Sequence, residues 1–193
     1  MSYPGLILAS QSPRRQAILS LKLLPFETVS IDTPERFDET LSIEENVKRI
    51  ALEKAEAAAA ALPAEKRKKI ILTADTIVVK NGKILGKPAG YNEAFEMLQN
   101  LQDSSHLVYT GFALLCGQTI HLECVSTTVE FEPMTGEEIK RYLDTVKPFD
   151  KAGAYGIQDP LMACHIRRIS GCYYNVVGLP LARVCKALKP FLS

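Results

Sequence analysis

The feature that most constrains the fold of this sequence is an alternation of short apolar runs with stretches of helical apolar period. Residues 6–9 and 70–74 are apolar runs of strand length. Residues 125–131 instead alternate apolar and polar side chains, which is typical of a half-exposed antiparallel strand. No long linker or internal repeat separates these segments. Strands of both kinds, interleaved with helices, predict an α/β fold with a mixed, twisted central sheet flanked by helices.

Helices are predicted where a capping residue precedes a helical apolar repeat. Ser12 followed by Pro13 has the form of an N-cap and a first-turn proline, and predicts a helix over residues 13–24. A capping box at 42–45 opens a second helix, which ends near Pro63. The same patterns predict helices over 92–101, after the capping box at 135–138, and from residue 181. The run 70–74 is predicted to continue in extended form over 77–79, and a hairpin turn at 81–82 joins it to residues 84–85. Further strands are predicted over 106–115 and 166–169.

Chain length and charge restrict the class of protein. A chain of 193 residues is long enough for one sizeable core and too short for two independent domains, so a single domain over residues 1–193 is predicted. The 23 Lys and Arg residues against 22 Asp and Glu residues give a net charge of +1. No whole-molecule field therefore favours a nucleic acid or an acidic membrane surface as a partner.

Cysteine usage indicates the compartment. The five cysteines are odd in number and include no C-x-x-C pair, which argues against a disulfide scaffold and against a structural zinc site. A reducing cytosol fits this pattern best. The sequence also has no apolar run approaching the roughly 18 residues of a membrane span, and no signal peptide. We therefore expect a cytoplasmic protein that makes no membrane contact.

Two adjacent arginines, Arg14 and Arg15, follow Ser12 in the first turn of the first predicted helix. Cations at this end of a helix oppose the macrodipole, so a nearby anion is the natural explanation for them. Backbone N–H groups, the hydroxyls of Ser10 and Ser12, and two guanidinium groups would form a phosphate or carboxylate site at this strand-to-helix corner. The alternative is that both arginines contact carboxylates of the chain itself or extend into water.

Two charged residues interrupt apolar patterns. Lys54 lies on the apolar stripe of the second helix, where it either meets a phosphate at the edge of a cleft or extends its stem over the core to reach water. Asp75 interrupts the apolar stretch 70–79. Because an unpaired carboxylate in such a place is unfavourable, Asp75 should pair with a cation, bind a metal or act as a base.

Lys87 follows the hairpin on a short turn between Gly86 and Pro88. The stretch from Gly82 to Lys87 resembles a Walker A loop, but three residues separate its glycines where four are needed, and Pro88 replaces the metal-binding Ser or Thr. A P-loop is therefore excluded, and Lys87 is either a site cation or a surface charge. Residues 150–160 are rich in small side chains and predict an irregular loop through which backbone can approach a ligand closely.

Seven short stretches carry a family resemblance. They are L-A-S-Q-S-P-R-R at 8–15, E-K-A at 53–55, A-D-T-I-V-V at 74–79, G-K-P at 86–88, Y-T-G at 109–111, K-A-G-A-Y-G-I-Q at 151–158 and N-V-V-G-L-P-L at 175–181. In content and order they resemble the motifs of the Maf-like nucleotide pyrophosphatases. The resemblance implies hydrolysis of a nucleoside triphosphate to the monophosphate and pyrophosphate, with a divalent metal, on a fold related to the inosine triphosphate pyrophosphatases.

The resemblance also implies roles by position. Asp75 is the implied catalytic base or metal-linked carboxylate, and Glu35 is the implied second acidic residue, with Asp32 and Asp38 as alternatives. The implied substrate-binding residues are Arg14, Lys54 and Lys87 on the triphosphate, and Ser10, Arg15, Thr76 and Gln158 bordering the base and sugar. Ser12 is added to the predicted substrate-binding residues from the anion corner described above. A homodimer is expected.

Motif variants within the family indicate the substrate class. Thr76 and the stretch 154–158 are similar to the branch that acts on dTTP and UTP, whereas the branch acting on methylated guanosine triphosphate has S-D-Q and A-G-S-F-like segments. The chain departs from the family at 159–160, where Asp-Pro replaces the usual glycine, and at 103–105, where Asp-Ser-Ser replaces a turn containing glycine. Both departures concern loop closure over the base rather than the phosphate chemistry.

The residue types fit this chemistry. Attack of water at the α-phosphorus needs several cations, a bridging metal and a base that orients the water. Magnesium is expected at Glu35 and Asp75, with manganese or cobalt as alternatives. The reason is that carboxylate oxygens are the ligands that hard divalent cations prefer. Three rival hypotheses are a cysteine hydrolase using Cys164 beside His165, a non-catalytic nucleotide sensor, and a pyrophosphatase for modified nucleotides.

Overall fold

The computed structural model describes residues 4–192 and contains a mixed seven-stranded sheet. The strand order is β2-β1-β3-β5-β6-β7, with β4 pairing β3 away from this path. The strands are β1 (Leu6–Ala9), β2 (Phe26–Val29), β3 (Ile70–Lys80), β4 (Lys83–Leu85), β5 (Ser105–Cys116), β6 (Thr119–Phe131) and β7 (Ile166–Ser170). Strand β1 pairs parallel with β2 and β3, whereas the β3–β4 and β6–β7 pairs are antiparallel.

Seven α-helices accompany the sheet in the described residues. They are α1 (Pro13–Ser20), α2 (Ile43–Ala61), α3 (Tyr91–Leu101), α4 (Gly136–Val146), α5 (Pro160–Ala163), α6 (Tyr173–Val177) and α7 (Leu181–Leu192). Both predicted capping boxes form, at Ser42 with Glu45 and at Thr135 with Glu138. The predicted α/β class with a mixed central sheet is therefore confirmed.

Two predicted boundaries were wrong by several residues. Helix α1 ends at Ser20 rather than residue 24, because the chain turns at Leu21 and Leu23 takes a left-handed φ of 54°. Strand β6 begins at Thr119 rather than residue 125, since the short turn after β5 fixes its pairing although the first part of the strand is largely exposed. The predicted extension of the run 70–74 through 77–79 is confirmed, because both segments belong to strand β3.

The chain forms two compact units. The first comprises described residues 4–75, 110–125 and 178–192, and the second comprises residues 76–109 and 126–177. The prediction of a single domain over 1–193 stays a prediction. Among the described residues, no helix has both the length and the apolar content that crossing a membrane requires.

The core of the first unit is built where α2 packs on the sheet. Its buried apolar residues are Ile7, Ala9, Ala51, Ala55, Ala58, Leu62, Ile71, Ala113 and Leu115. The small alanine side chains keep that face of α2 flat. Gly111 of β5 has no side chain, which allows α2 to lie close to this strand. A Cβ at Gly111 would lie 2.4 Å from the carbonyl oxygen of Val47, so a side chain there cannot be accommodated without moving α2.

The second unit contains a buried aromatic cluster of His106, Phe131 and Tyr155. The three rings meet edge to face, with centroids 4.9 to 5.4 Å apart. His106 is 3% exposed, and its Nε2 lies 2.8 Å from the Tyr155 hydroxyl. Burial, with a smaller contribution from the Lys80 ammonium, lowers the pKa of His106 from 6.5 to about 4.

Acid should therefore destabilise the wild-type chain through His106. The unfolded state takes up a proton at His106 below pH 6.5, whereas the folded state takes it up only near pH 4, so stability is lost as pH falls through this window. We expect the free energy of unfolding to fall by about 3 kcal/mol more than in His106→Asn between these pH values. Urea denaturation of both proteins at a series of pH values measures this difference. Parallel pH profiles would contradict it.

Candidate active site

The first unit brings Asp75, Lys54 and Glu35 together. The Lys54 ammonium lies 2.6 Å from Asp75 Oδ1 and 2.6 Å from Glu35 Oε1. The Asp75 side chain is 6% exposed, that of Lys54 is 13% exposed and that of Glu35 is 38% exposed. Lys54 therefore does not extend over the core to reach water, and of the three acidic candidates Glu35 is the one placed at Lys54.

The register between α2 and β3 explains this contact. Thr73 and Asp75 are two residues apart on β3, so their side chains lie on the same face of the strand. Ala51 and Lys54 lie one turn apart on α2. The buried Thr73 hydroxyl donates to the Ala51 carbonyl at 2.5 Å. Two residues further along the strand and one turn further along the helix, Asp75 contacts Lys54. The helix and the strand are thus fixed to each other immediately beside the charged residues.

Arg15 is held at the same site from the strand-to-helix corner. Its Nε donates to the Gly178 carbonyl at 2.8 Å, and its Nη1 lies 3.5 Å from the hydroxyl of Ser10. Burial lowers the pKa of the Arg15 guanidinium, while the carboxylates of Asp75 and Glu35 oppose that shift. Arg15 therefore lies within electrostatic range of both carboxylates, and its role in binding an anion stays a prediction.

The serines of this corner have separate structural roles. Ser12 is the N-cap of α1, and its hydroxyl accepts from the Arg15 backbone N–H at 3.4 Å. The Ser10 hydroxyl accepts from the Ser12 backbone N–H at 3.2 Å. The predicted cap at Ser12 is thus confirmed, and Arg14 occupies the second position of α1 beside Arg15.

The remaining predicted site residues, Thr76, Lys87 and Gln158, belong to the second unit. Thr76 follows Asp75 on β3 and is half-buried, whereas Lys87 and Gln158 are exposed. Two of the family motifs meet here, since the Gly153 N–H donates to the Gly86 carbonyl at 3.0 Å. Gly153 has a φ of 68°, and a Cβ on it would lie 3.0 Å from the Val78 side chain, so glycine allows the loop to pack on β3.

Tyr142 anchors the loop that carries Gln158. Its hydroxyl donates to Asp159 Oδ2 at 2.6 Å and accepts from the Gly156 N–H at 3.0 Å. Burial raises the pKa of this hydroxyl, and the hydrogen bond to Asp159 adds to the shift, so Tyr142 is a donor at neutral pH. Asp159 is the residue that departs from the family pattern. Through the Tyr142 hydroxyl it is linked to Gly156, so this contact holds the turn that contains Gln158.

Sequence analysis missed three of these contributors. The Gly178 carbonyl contacts Arg15 across most of the chain length, and no local pattern indicates that contact. Tyr142 lies in the helix predicted after the capping box at 135–138 but was given no functional role, and Asp159 was treated only as a departure from the family pattern. The available signal was chemical, because a buried tyrosine hydroxyl usually has a hydrogen-bond partner.

The carboxylate pair fits a divalent cation. Glu35 Oε1 and Asp75 Oδ1 approach the same ammonium, so the two oxygens converge on one region. Residues 4–192 hold no cluster of three or more acidic, His or Cys side chains suited to a metal. A small hard cation held by two carboxylates, with the rest of its shell from phosphate oxygens and water, matches that donor set.

Comparison with known proteins agrees with the motif resemblance. A family model described as Maf-like protein matches residues 5–191. A protein of Pelodictyon phaeoclathratiforme named dTTP/UTP pyrophosphatase is 70% identical over 192 residues, covering 100% of both chains. Proteins with the same name from Chlorobium chlorochromatii and Halalkalibacterium halodurans are 56% and 48% identical, covering 100% and 95% of this chain and 98% and 94% of their own lengths. This chain belongs to the Maf family.

Proposed function

We propose that this protein is a nucleoside triphosphate pyrophosphatase that hydrolyses dTTP and UTP to the monophosphate and pyrophosphate. The observation that carries the proposal is the group of Asp75, Lys54 and Glu35, with Arg15 beside it. Relatives that match essentially the whole chain are named dTTP/UTP pyrophosphatase. Hydrolysis of a triphosphate needs cations for the phosphate oxygens and a carboxylate that can orient water, and this group offers both.

Asp75 is the residue we assign to water. It is nearly buried, and Lys54 fixes its Oδ1 by a direct ion pair. A carboxylate held in this way can accept a proton from a water aligned with the α-phosphorus. Arg14, Lys54 and Lys87 are the residues we assign to the triphosphate, where positive charge lowers the barrier by neutralising the pyrophosphate leaving group. Ser12 is assigned to the same anion corner as Arg14, and the residues assigned to the base and sugar are Ser10, Arg15, Thr76 and Gln158.

A divalent metal, with magnesium preferred over manganese or cobalt, would be held by Glu35 and Asp75. When bound, it would polarise phosphate oxygens and neutralise charge on them. The contribution of the chain is to keep the two carboxylates together although they repel each other. Lys54 does this by contacting both, which relieves the repulsion before any ligand arrives.

Base selection is assigned to Gln158. Uracil and thymine present two carbonyl acceptors on either side of one N–H, and an exposed amide supplies both a donor and an acceptor. Cytosine presents an amino donor where these bases present an acceptor, and polar mismatches of this kind are discriminated strongly. The Tyr142 hydroxyl holds the backbone of Gly156 on one side of this residue and the side chain of Asp159 on the other.

The expected result is a preference of wild type for dTTP and UTP over CTP, ATP and GTP. Gln158→Ala should lose this preference while its affinity for inorganic triphosphate stays close to that of wild type, since the phosphate contacts are made elsewhere. Pyrophosphate release gives kcat/KM for the five nucleotides and for methylated and other modified triphosphates. A wild-type preference for GTP or a methylated guanosine triphosphate would overturn the assignment.

The homodimer and the cytoplasmic location are proposals as well. Ile120 and Leu122 lie on one face of β6 and are 47% and 36% exposed, and β7 pairs with β6 only from Thr128 onward. An antiparallel contact between two copies centred on Leu122 would cover these side chains and set His121 opposite the partner's Glu123. The cysteines, all free thiols in the structure, support a reducing compartment.

A further inference from the structure

The stretch that carries Glu35 has no regular secondary structure of its own. Residues 30–38 lie between β2 and the turn before α2 without helix or strand. The Glu35 side chain is 38% exposed, so burial does not hold it at Lys54. Something else must fix the backbone of this stretch if its carboxylate is to stay beside that of Asp75.

Asn46 on the first turns of α2 makes that attachment. Asn46 is 3% exposed, and its Oδ1 accepts from the Asp38 N–H while its Nδ2 donates to the Asp38 carbonyl, both at 2.8 Å. Nδ2 also lies 3.3 Å from the Leu41 carbonyl and 3.1 Å from the Ser42 carbonyl. One side chain therefore binds both backbone groups of Asp38, as a neighbouring strand would.

Arg49, one turn further along α2, extends the attachment to the residue beside Glu35. Its Nη2 donates to the Arg36 carbonyl at 2.5 Å and to Asn46 Oδ1 at 3.1 Å, and its Nη1 contacts Glu53 at 2.6 Å. Because Arg36 directly follows Glu35, this bond limits where the Glu35 side chain can begin. The planar guanidinium suits the task, since it reaches several acceptors in fixed directions.

We propose that Asn46 and Arg49 are positioning residues that hold Glu35 at Lys54 and Asp75, an inference that rests on the proposed function. The helix that carries Lys54 also holds the backbone that brings Glu35 to it, so both parts of the site move as one piece. The hydrogen bonds described above join these two side chains to the backbone of Arg36, Asp38, Leu41 and Ser42 and to Glu53. Their effect on hydrolysis is therefore expected to pass through the placement of Glu35.

A double-mutant cycle tests this route. Asn46→Ala should lower kcat/KM for dTTP by about 10- to 100-fold in wild type, because misplacing a reacting group by about 1 Å has effects of that size. In a Glu35→Gln background the same change should add less than about twofold, since the carboxylate that it positions is already absent. Arg49→Met should behave in the same way and replaces Asn46→Ala if that variant fails to fold.

Ser42→Ala is the matched control. It removes the N-cap of the same helix, where the Ser42 hydroxyl accepts from the Glu45 N–H at 3.2 Å, without removing a contact to Arg36 or Asp38. It should lower the melting temperature while leaving kcat/KM unchanged. Equal losses for Asn46→Ala in both backgrounds, or unchanged kcat/KM of an active Asn46→Ala enzyme, would overturn the proposal.

Amide hydrogen exchange separates this proposal from the proposed function. Asn46→Ala should exchange faster over residues 35–41, and Ser42→Ala should not exchange faster there beyond the helix end. If wild type releases no pyrophosphate from dTTP or UTP, the function is wrong and the exchange result alone decides whether Asn46 holds this segment. Unchanged exchange over 35–41 would overturn the attachment itself.

Discussion

Asp75→Asn is expected to lower the rate of dTTP hydrolysis by at least about 100-fold, the lower end of what general acid–base groups contribute. The amide keeps the size of the carboxylate and can still accept a hydrogen bond from Lys54, but it carries no charge and cannot take a proton from water. Nucleotide binding should largely survive, because the cations assigned to the triphosphate are unchanged.

Two measurements on Asp75→Asn check the expected loss of hydrolysis and the expected retention of nucleotide binding. Single-turnover pyrophosphate release gives the rate of the chemical step, and equilibrium binding of dTTP gives the affinity. Asp144→Asn is the matched control, since Asp144 is an exposed carboxylate on α4 and its replacement should leave both values unchanged. Near-normal turnover by Asp75→Asn would remove Asp75 from the mechanism.

Lys54→Met should lower the activity toward dTTP by a similar factor, but for a different physical reason. It retains most of the stem but removes the ammonium between Glu35 and Asp75, so the two carboxylates then repel each other and a cation for the phosphates is lost. We expect kcat/KM to fall by about 100-fold or more, and Lys54→Arg to restore only part of it because the guanidinium is larger and planar.

Lys48→Met is the matched control on the same helix, and it should leave kcat/KM unchanged. Near-normal kcat/KM of Lys54→Met would show that Lys54 is dispensable.

Local patterns predicted α2 well because its signals are local. The capping box at Ser42, the apolar repeat and the end near Pro63 depend on residues a few positions apart, and all three hold in the structure. Asp75 and Lys54 could also be singled out, since each places a charge in an apolar pattern. Their assigned roles stay predictions, and the structure adds that the two residues meet.

The choice among Asp32, Glu35 and Asp38 could not be made from local patterns. It depends on Asn46 and Arg49 holding an irregular stretch, and hydrogen bonds from a helix side chain to the backbone of such a stretch have no local sequence pattern comparable to a capping box. The structure commits the carboxylate of Asp38 elsewhere: its Oδ1 accepts from the hydroxyl of Thr40 at 2.6 Å, and this bond lowers the pKa of Asp38. The contact of Arg15 with Gly178 was likewise invisible, since it joins distant parts of the chain.

The contact between Gly156 and Asp159 also makes the residue at one position depend on the residue at the other. A Cβ at position 156 would lie 2.6 Å from Asp159 Oδ2, the oxygen that the Tyr142 hydroxyl holds in place. Any larger residue at 156 therefore requires the Asp159 carboxylate to move away from the Tyr142 hydroxyl. A residue without a side chain at 159 would remove this obstacle, so the two positions constrain each other through one tyrosine hydroxyl.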